Sequence, residues 1–274
     1  MYRNLKNKVA LITGAGKPHG IGKAIALRLA KEGVKVVVND IKSIKKNSDL
    51  IKTVNEIKSI GNEALSIEAD VSNSLQVKQM IKRIIKKFGK IDILINNAAT
   101  APGRDRVPIV DLDEKIWDLV IKVNLKGTFL CSKEVGKIMI NKKQGGKIIN
   151  ISSWAGKSYV QPNYGAYSTS KFAIRGLTQV LAKELGPYGI QVNAICPGAV
   201  MTERTKDLAK ALAPKGINTT KAIKNYINDR LSGTPLGRLC TTDDIAQITA
   251  FLVSSESDFI NGKSITVDGG KTTD

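Results

Sequence analysis

Tyr167 and Lys171 stand four residues apart in Tyr167-Ser168-Thr169-Ser170-Lys171, downstream of the hydroxyl pair Ser152-Ser153. On a helix that spacing sets a phenol and an ammonium one turn apart on the same face. Near the start of the chain, the apolar run Val9-Ala10-Leu11-Ile12-Thr13-Gly14 turns sharply, and Gly20-Ile21-Gly22 opens the pattern that follows. Glycines there let backbone approach a pyrophosphate, whose charge the N-terminus of the next helix stabilises. A glycine turn alone says little, since tight strand-to-helix turns need glycine anyway. Asp40 strengthens the reading: it closes Val36-Val37-Val38-Asn39-Asp40, about 20 residues beyond the turn, where an acid can hydrogen-bond the adenosine ribose hydroxyls. Its charge would repel a 2′-phosphate, so NAD is favoured over NADP. Lys17 in the turn and Lys42 just after Asp40 work the other way, since either reaches toward a phosphate. The combination points to nicotinamide-dependent oxidoreduction.

These residues need a scaffold, and the sequence supplies a regular one. Short aliphatic and β-branched runs over 9–13, 35–39, 64–68, 91–96, 146–152, 190–195 and 264–267 are expected strands. Each is nearly continuous in apolar residues, as strands buried on both faces should be. Helix spacing with polar starts fills 22–33, 47–60, 73–88, 112–139, 166–185 and 241–253. Strand and helix alternating in this way imply right-handed crossovers and a parallel sheet covered on both sides. The expected fold is α/β, a single Rossmann-type doubly wound domain over 1–274 with a seven-stranded parallel sheet. The stretch 202–236 breaks the rhythm: it is rich in Lys, Ala and Thr, has helical pieces and contains no strand. Long insertions of this kind are usually functional, and this one is read as a substrate lid.

Composition narrows the classes. At 274 residues the chain can bury one sizeable core. The formal charge of +19 raises the prospect of an anionic partner. Lysine far outnumbers arginine, however, recurs on almost every expected helix, and few aromatics accompany it. A solvated surface fits that pattern better than a nucleic-acid face, which wants arginine and aromatics together. Cys131, Cys196 and Cys240 are far apart and far from the sole histidine, His19; no metal site is expected, and the thiols should be buried and reduced. With no signal-peptide pattern at the basic start and no apolar run long enough for a bilayer, a cytoplasmic protein without membrane attachment is expected.

The motifs, taken in order, resemble those of the short-chain dehydrogenase/reductase family over essentially the whole chain: Thr13-Gly14 with Gly20-Ile21-Gly22, Asp70-Val71, Asn96-Asn97-Ala98-Ala99, Asn124, Ile151-Ser152-Ser153, Tyr167 to Lys171, and Pro197-Gly198 with Thr202. The resemblance implies that Tyr167 is the general acid/base exchanging a proton with the substrate oxygen. A free phenol, with a pKa of about 10, is a poor base near neutrality; the Lys171 cation beside it favours phenolate. It implies too that Lys171 holds the nicotinamide ribose and that Ser153, rather than Ser152, hydrogen-bonds the substrate oxygen. Asn124 would kink a long helix and link a water to Lys171. Asp70 would meet the adenine edge, Asn97 brace the central strand, and Thr202 hold the carboxamide after the Pro197-Gly198 turn. Cofactor contacts are thus expected from Gly14, Gly16, Lys17, Gly20, Ile21, Asp40, Asp70, Val71, Asn97, Tyr167, Lys171, Pro197, Gly198 and Thr202.

Two departures from the family pattern stand out. Five residues, Ala15 to His19, separate Gly14 from Gly20, two more than the family turn usually has, which leaves open which of Ala15, Gly16 and Lys17 touches the phosphates. A longer turn is similar to that of the enoyl-reductase branch, but that branch spaces its tyrosine and lysine more widely. Ala99 stands where the family often has glycine. His19 is read as a loop-stabilising or solvent-exposed imidazole, and Tyr164, with Ser168 rather than lysine four residues on, as a packing or pocket residue.

The pocket should be lined by 100–106, 154–163 and the segment from Met201 onward, with Trp154, Tyr159, Val160 and Met201 as apolar walls and Arg104, Arg106, Gln161 and Asn163 as polar groups. That suits a secondary alcohol or its ketone, such as a polyol, sugar or hydroxy acid. A 3-oxoacyl-thioester reductase using NADPH is the alternative, and a dinucleotide-binding protein without turnover the remote one. The family habit implies a homotetramer, or else a homodimer, pairing 112–139 with 166–185 through small residues such as Ala166, Ala173, Gly176 and Ala182, with Phe251, Phe259 and Ile260 at a second contact.

Overall fold

Seven runs of aliphatic residues, too short to be helices and flanked by glycine and polar turns, assemble into one wholly parallel sheet in the order β3-β2-β1-β4-β5-β6-β7. The strands are β1 (Val9–Ile12), β2 (Lys35–Asp40), β3 (Ala64–Glu68), β4 (Ile93–Asn96), β5 (Gly146–Ile151), β6 (Ile190–Pro197) and β7 (Ser264–Val267). The computed structural model describes residues 2–41, 48–214 and 216–273; Lys42 and Asn47, the first residue expected of the second helix, lie outside them. Strand order reverses between β1 and β4, which pair in register Leu11 with Leu94, while Leu11 meets Val37 on the other side. Parallel sheets open a crevice at the carboxyl ends of the strands where the order reverses, and the sequence motifs cluster around it.

Central strands are buried on both faces, as their continuous apolar runs require. The edge strands depart from that expectation: β3 buries only Ile67, and β7 is half-buried throughout. An edge lacks a neighbour on one side, so its side chains need not be wholly covered. On one face α1 (Ile21–Lys31) and α9 (Thr242–Val253) pack Ile25, Leu29, Ile245 and Leu252 against the sheet together with α2 (Ser48–Ser59). On the other, α3 (Ser74–Phe88) brings Val77, Met80 and Ile84 against Leu130 and Val135.

The helical pattern expected over 112–139 is three segments: α4 (Glu114–Val120), a π-helical turn (Ile121–Lys126) and α5 (Gly127–Lys142). Asp113 starts it by accepting from the Lys115 amide at 2.8 Å. Gly127 follows the wide turn because a Cβ there would lie 2.7 Å from the Val71 side chain. Next along the same face comes α6 (Gly165–Leu185). Within 202–236 lie two helices, α7 (Glu203–Ala211) and α8 (Thr219–Leu231), and no strand among the described residues. They rest on the body of the protein: Ala209, Ala222 and Arg230 are buried, and Leu208 and Leu212 pack against Trp154 and Tyr164.

No described helix is long and apolar enough to cross a membrane, and the described residues hold no His/Cys/Asp/Glu cluster able to ligate a metal. All three cysteines are free thiols. Cys131 and Cys196 are buried as expected, but Cys240, at the edge of α9, is only half-buried.

Candidate active site

Ser153, Tyr167 and Lys171 come together because β5 ends at Ile151 and α6 runs back past that end. Lys171 is 3 % exposed, and its Nζ donates to the Ile151 carbonyl at 2.7 Å. The ammonium lies 5.8 Å from the centre of the Tyr167 ring. The two adjacent serines part company here. Ser152 Oγ donates to the Lys171 carbonyl at 2.8 Å and so ties strand to helix. Ser153 Oγ accepts from the Ala155 amide at 3.2 Å, and its hydroxyl is close enough to the Tyr167 phenol to favour the ionised form. Burial acts to raise the phenol pKa; the cations of Lys171 and Arg204, the Ser153 hydroxyl and Arg106 outweigh it, so Tyr167 ionises below the ordinary phenol range. Burial likewise lowers the Lys171 pKa, with the neighbouring phenol opposing. Tyr164 goes the other way. It is buried, and burial together with Tyr226 lifts its pKa far above a free phenol.

Asn124 sits in the π-turn, fully buried. Its Oδ1 accepts from the Thr100 amide at 2.9 Å, and its Nδ2 donates to Ser170 Oγ at 3.0 Å. Ser170 Oγ in turn donates to the Tyr167 carbonyl at 2.7 Å. One asparagine therefore joins the loop after β4 to the first turns of α6. The asparagine lies within the widened helix turn, a feature that recurs at functional sites.

Around the crevice the glycine turn has the shape a dinucleotide needs. Gly14 has φ +66°, and a Cβ on it would lie 2.6 Å from Ala98 Cα; one on Gly22 would lie 2.7 Å from the Gly14 carbonyl. Asn97 braces the turn by donating to the carbonyls of Thr13 and Gly14 at 2.9 and 2.8 Å, and Thr13 Oγ1 accepts from the amides of Asn97 and Ala98. Helix α1 begins at Ile21 with Gly20 as its cap, without a side-chain capping bond and without an acidic residue in the first turn. Its amide dipoles are thus left for an external anion, which is the fit a pyrophosphate requires. Asp40 Oδ2 accepts from the Gly16 amide at 2.8 Å, and Oδ1 from Ile41 at the same distance. The carboxylate shapes the long turn and retains lone pairs for ribose hydroxyls.

The remaining expected contacts lie at the same ends of the strands. Asp70 Oδ1 accepts from the Ser72 amide at 2.8 Å, and Val71 is buried against Gly127. Lys17 is exposed, and its carbonyl accepts from the Gly20 amide at 3.1 Å. Pro197 ends β6, and Gly198 donates to the Val267 carbonyl at 2.9 Å; a Cβ on Gly198 would crowd Asp268 at 2.8 Å and Trp154 at 3.3 Å. Thr202 is the cap of α7, its hydroxyl accepting from the Thr205 amide at 3.4 Å.

Three residues at the site were not anticipated. Glu203 Oε1 accepts from the His19 amide at 3.0 Å and ties the long turn to α7 across a cleft lined by Pro18, Gly20, Met201 and Thr202. Arg204 donates to the Thr100 carbonyl, and its guanidinium lies 5.2 Å from the Tyr167 ring centre. Arg230, 4 % exposed, donates to Tyr159 Oη at 3.0 Å and to Gln161 Oε1. A signal existed: only nine of the 43 basic residues are arginine, and arginine is the residue suited to buried, planar recognition. Of the expected pocket walls, Trp154 stacks on Tyr159 with ring centres 4.2 Å apart, and Arg106 is buried. Val160, Met201 and Arg104 are exposed instead.

A sheet with this strand order, a glycine cradle and a Ser-Tyr-Lys cluster at its carboxyl end define a dinucleotide-binding α/β oxidoreductase fold. The family model described as enoyl-(acyl carrier protein) reductase matches residues 14–272. A short-chain dehydrogenase/reductase from Armillaria gallica is 40 % identical over 266 residues, covering 97 % of this chain and 96 % of that protein. The 3-oxoacyl-[acyl-carrier-protein] reductase of Staphylococcus epidermidis is 37 % identical over 264 residues, covering 96 % and 98 %. The structure of NAD⁺-bound xylitol dehydrogenase superposes with a TM-score of 0.85 at 32 % identity, covering 97 % and 99 %. The chain belongs to the short-chain dehydrogenase/reductase family and is an oxidoreductase of that fold.

Proposed function

We propose that the protein transfers a hydride between NAD(H) and a secondary alcohol or its ketone, with Ser153, Tyr167, Lys171 and Asn124 as the catalytic set. The observation that carries this reading is the Tyr167 phenol with the anchored Lys171 ammonium 5.8 Å from its ring centre and Ser153 just past the end of β5, an arrangement that holds the phenol below its ordinary range. In oxidation, Tyr167 takes the hydroxyl proton as the carbonyl forms, and Ser153 donates to the same oxygen. A nicotinamide dinucleotide held by Lys171 and the glycine turn would supply the hydride acceptor. Lys171 keeps the phenol ionisable and binds the nicotinamide ribose; Asn124 fixes the start of α6 and, through a water, the lysine. The segment 202–236 acts as the lid of a single catalytic domain, since Leu208 and Leu212 at α7 pack against Trp154 and Tyr164 and Arg230 of α8 lies against Tyr159.

Asp40 supports NAD over NADP. Asp40→Asn keeps an acceptor for the Gly16 amide and removes the charge facing a 2′-phosphate. Selectivity is expected to move toward NADP by about tenfold or more, equivalent to ~1.4 kcal/mol, read as the ratio of kcat/KM values for the two cofactors. An unmoved ratio would remove Asp40 from the specificity site.

Small polyols, sugars and hydroxy compounds are the substrate class this polar pocket favours, in keeping with the xylitol dehydrogenase likeness. The second reading, a 3-oxoacyl-thioester reductase, is favoured by the Staphylococcus epidermidis relative. A nicotinamide absorbance screen decides: NAD with polyols, sugars, hydroxy acids and secondary alcohols in one direction, and NADH or NADPH with 3-oxoacyl thioesters in the other. Turnover confined to the thioesters would replace the first reading by the second.

We place the enzyme in the cytoplasm, where buried thiols such as Cys131 and Cys196 stay reduced, and assemble it as a homotetramer. Phe129, Phe172 and Val180 are exposed on α5 and α6, and a Cβ on Gly176 would meet nothing within 4 Å. Together they form the face that pairs with a second copy. Ala166 and Ala182, expected on that face, are instead buried within the protomer. Phe259, fully exposed, supplies the second contact. Sedimentation at micromolar protein should show a tetramer, and a monomer would contradict the assignment.

A further inference from the structure

Three guanidinium groups crowd the tyrosines of the site. Arg106, 5 % exposed, lies 4.4 Å from the Tyr164 ring centre and 4.8 Å from that of Tyr167. Arg204 lies 5.2 Å from Tyr167, and Arg230 stands 4.8 Å from Tyr226 and bonds Tyr159. With Lys171, 5.8 Å from the Tyr167 ring centre, this makes four cations around the tyrosines of the site. The carboxylates paired with them are Asp105, bonded to Arg106, and Asp229, which is largely exposed and 3.7 Å from Arg230. Arg204 makes no ion pair among the described residues; its protein hydrogen bond is to the Thr100 carbonyl. Each guanidinium also keeps one buried N–H that donates to no protein atom: Arg106 Nε, Arg204 Nη2 and Arg230 Nε.

Buried donors without acceptors are rare because each forfeits its hydration, and unpaired buried charge costs more. A neutral alcohol would leave that imbalance in place. A carboxylate would relieve it, since guanidinium N–H groups match its geometry and charge-assisted bonds of this kind are strong. We propose that the substrate carries a carboxylate close to the reacting carbon, bound by Arg204 beside Tyr167, with Arg106 and Arg230 adding to the positive field: a hydroxy acid or the corresponding oxo acid. This rests on the dehydrogenase reading of the same site and narrows it. A 3-oxoacyl thioester, which is uncharged beside its ketone, fits less well.

The test compares 3-hydroxybutyrate with its methyl ester, lactate with methyl lactate, and xylitol, all with NAD. The acids are expected to exceed their esters and the polyol in kcat/KM by at least about tenfold, a difference of ~1.4 kcal/mol. In Arg204→Gln the acid-to-ester ratio should fall toward one through a raised KM for the acid, and Arg204→Lys should restore part of it. Esters or xylitol turned over as well as the acids would overturn the inference while leaving the dehydrogenase reading intact. An Arg204→Gln variant that weakens NAD but keeps the acid-to-ester ratio would assign Arg204 to the cofactor and also overturn it. Silence on every compound with both NAD and NADP would instead strike at the dehydrogenase reading itself.

Discussion

Tyr167→Phe is expected to lower kcat by about a thousandfold or more while the dissociation constant for NADH changes less than about twofold. The substitution removes one oxygen from a ring otherwise held by packing. General acid–base catalysis by a positioned group is worth roughly 10²–10⁴-fold, and nothing nearby replaces it. Tyr164, 6.1 Å away between ring centres, is shut in by burial that opposes its ionisation. Ser153 is a far weaker acid, and Lys171 is anchored on the Ile151 carbonyl. Stopped-flow single turnovers and fluorescence titration with NADH separate the two quantities. Retention of most of kcat would mean that another group moves the proton. In the wild type, oxidation needs the phenolate, so kcat/KM should rise with pH and level off at a value below that of a free phenol, the direction in which the neighbouring cations move Tyr167.

How much of this was legible in the sequence follows from how local each feature is. Buried parallel strands are continuous aliphatic runs, so the expected β3 and β7 coincide with the observed ones and the other five differ at their ends by one or two residues. The spacing of Tyr167 and Lys171 is fixed by helix geometry and needs no tertiary information. The choice between Ser152 and Ser153 does, because adjacent residues on an extended backbone face opposite ways, and only the packing of α6 shows which hydroxyl is consumed as a tether. The π-turn was legible only through the resemblance that expects a kink at Asn124. The helical pattern over 112–139 does not reveal where one extra residue is accommodated; the structure puts it in the turn Ile121–Lys126. Arg204 and Arg230 were missed for a different reason. They lie in a lysine-rich segment that reads as solvated surface, and their tyrosine partners are distant in sequence: Arg204 faces Tyr167, and Arg230 bonds Tyr159.

Lys171→Met should produce the second large effect and separates electrostatics from packing. Methionine roughly preserves the length of the stem and deletes the ammonium. With that cation gone, burial acts on Tyr167 against only Arg204, Arg106 and the nearby Ser153 hydroxyl, so the phenol pKa must rise. The limb of the oxidation pH profile should therefore move to higher pH, and kcat near neutrality should fall by roughly 10²–10⁴-fold. KM for NAD should rise as well if Lys171 holds the ribose, which Tyr167→Phe does not predict. Stability should change little, because losing the bond to the Ile151 carbonyl is set against no longer burying a charge. A lowered kcat with an unshifted pH limb would show that Lys171 acts only by position. A collapse of the melting temperature would show that the buried ammonium holds β5 to α6, with Ser152, rather than tuning the phenol.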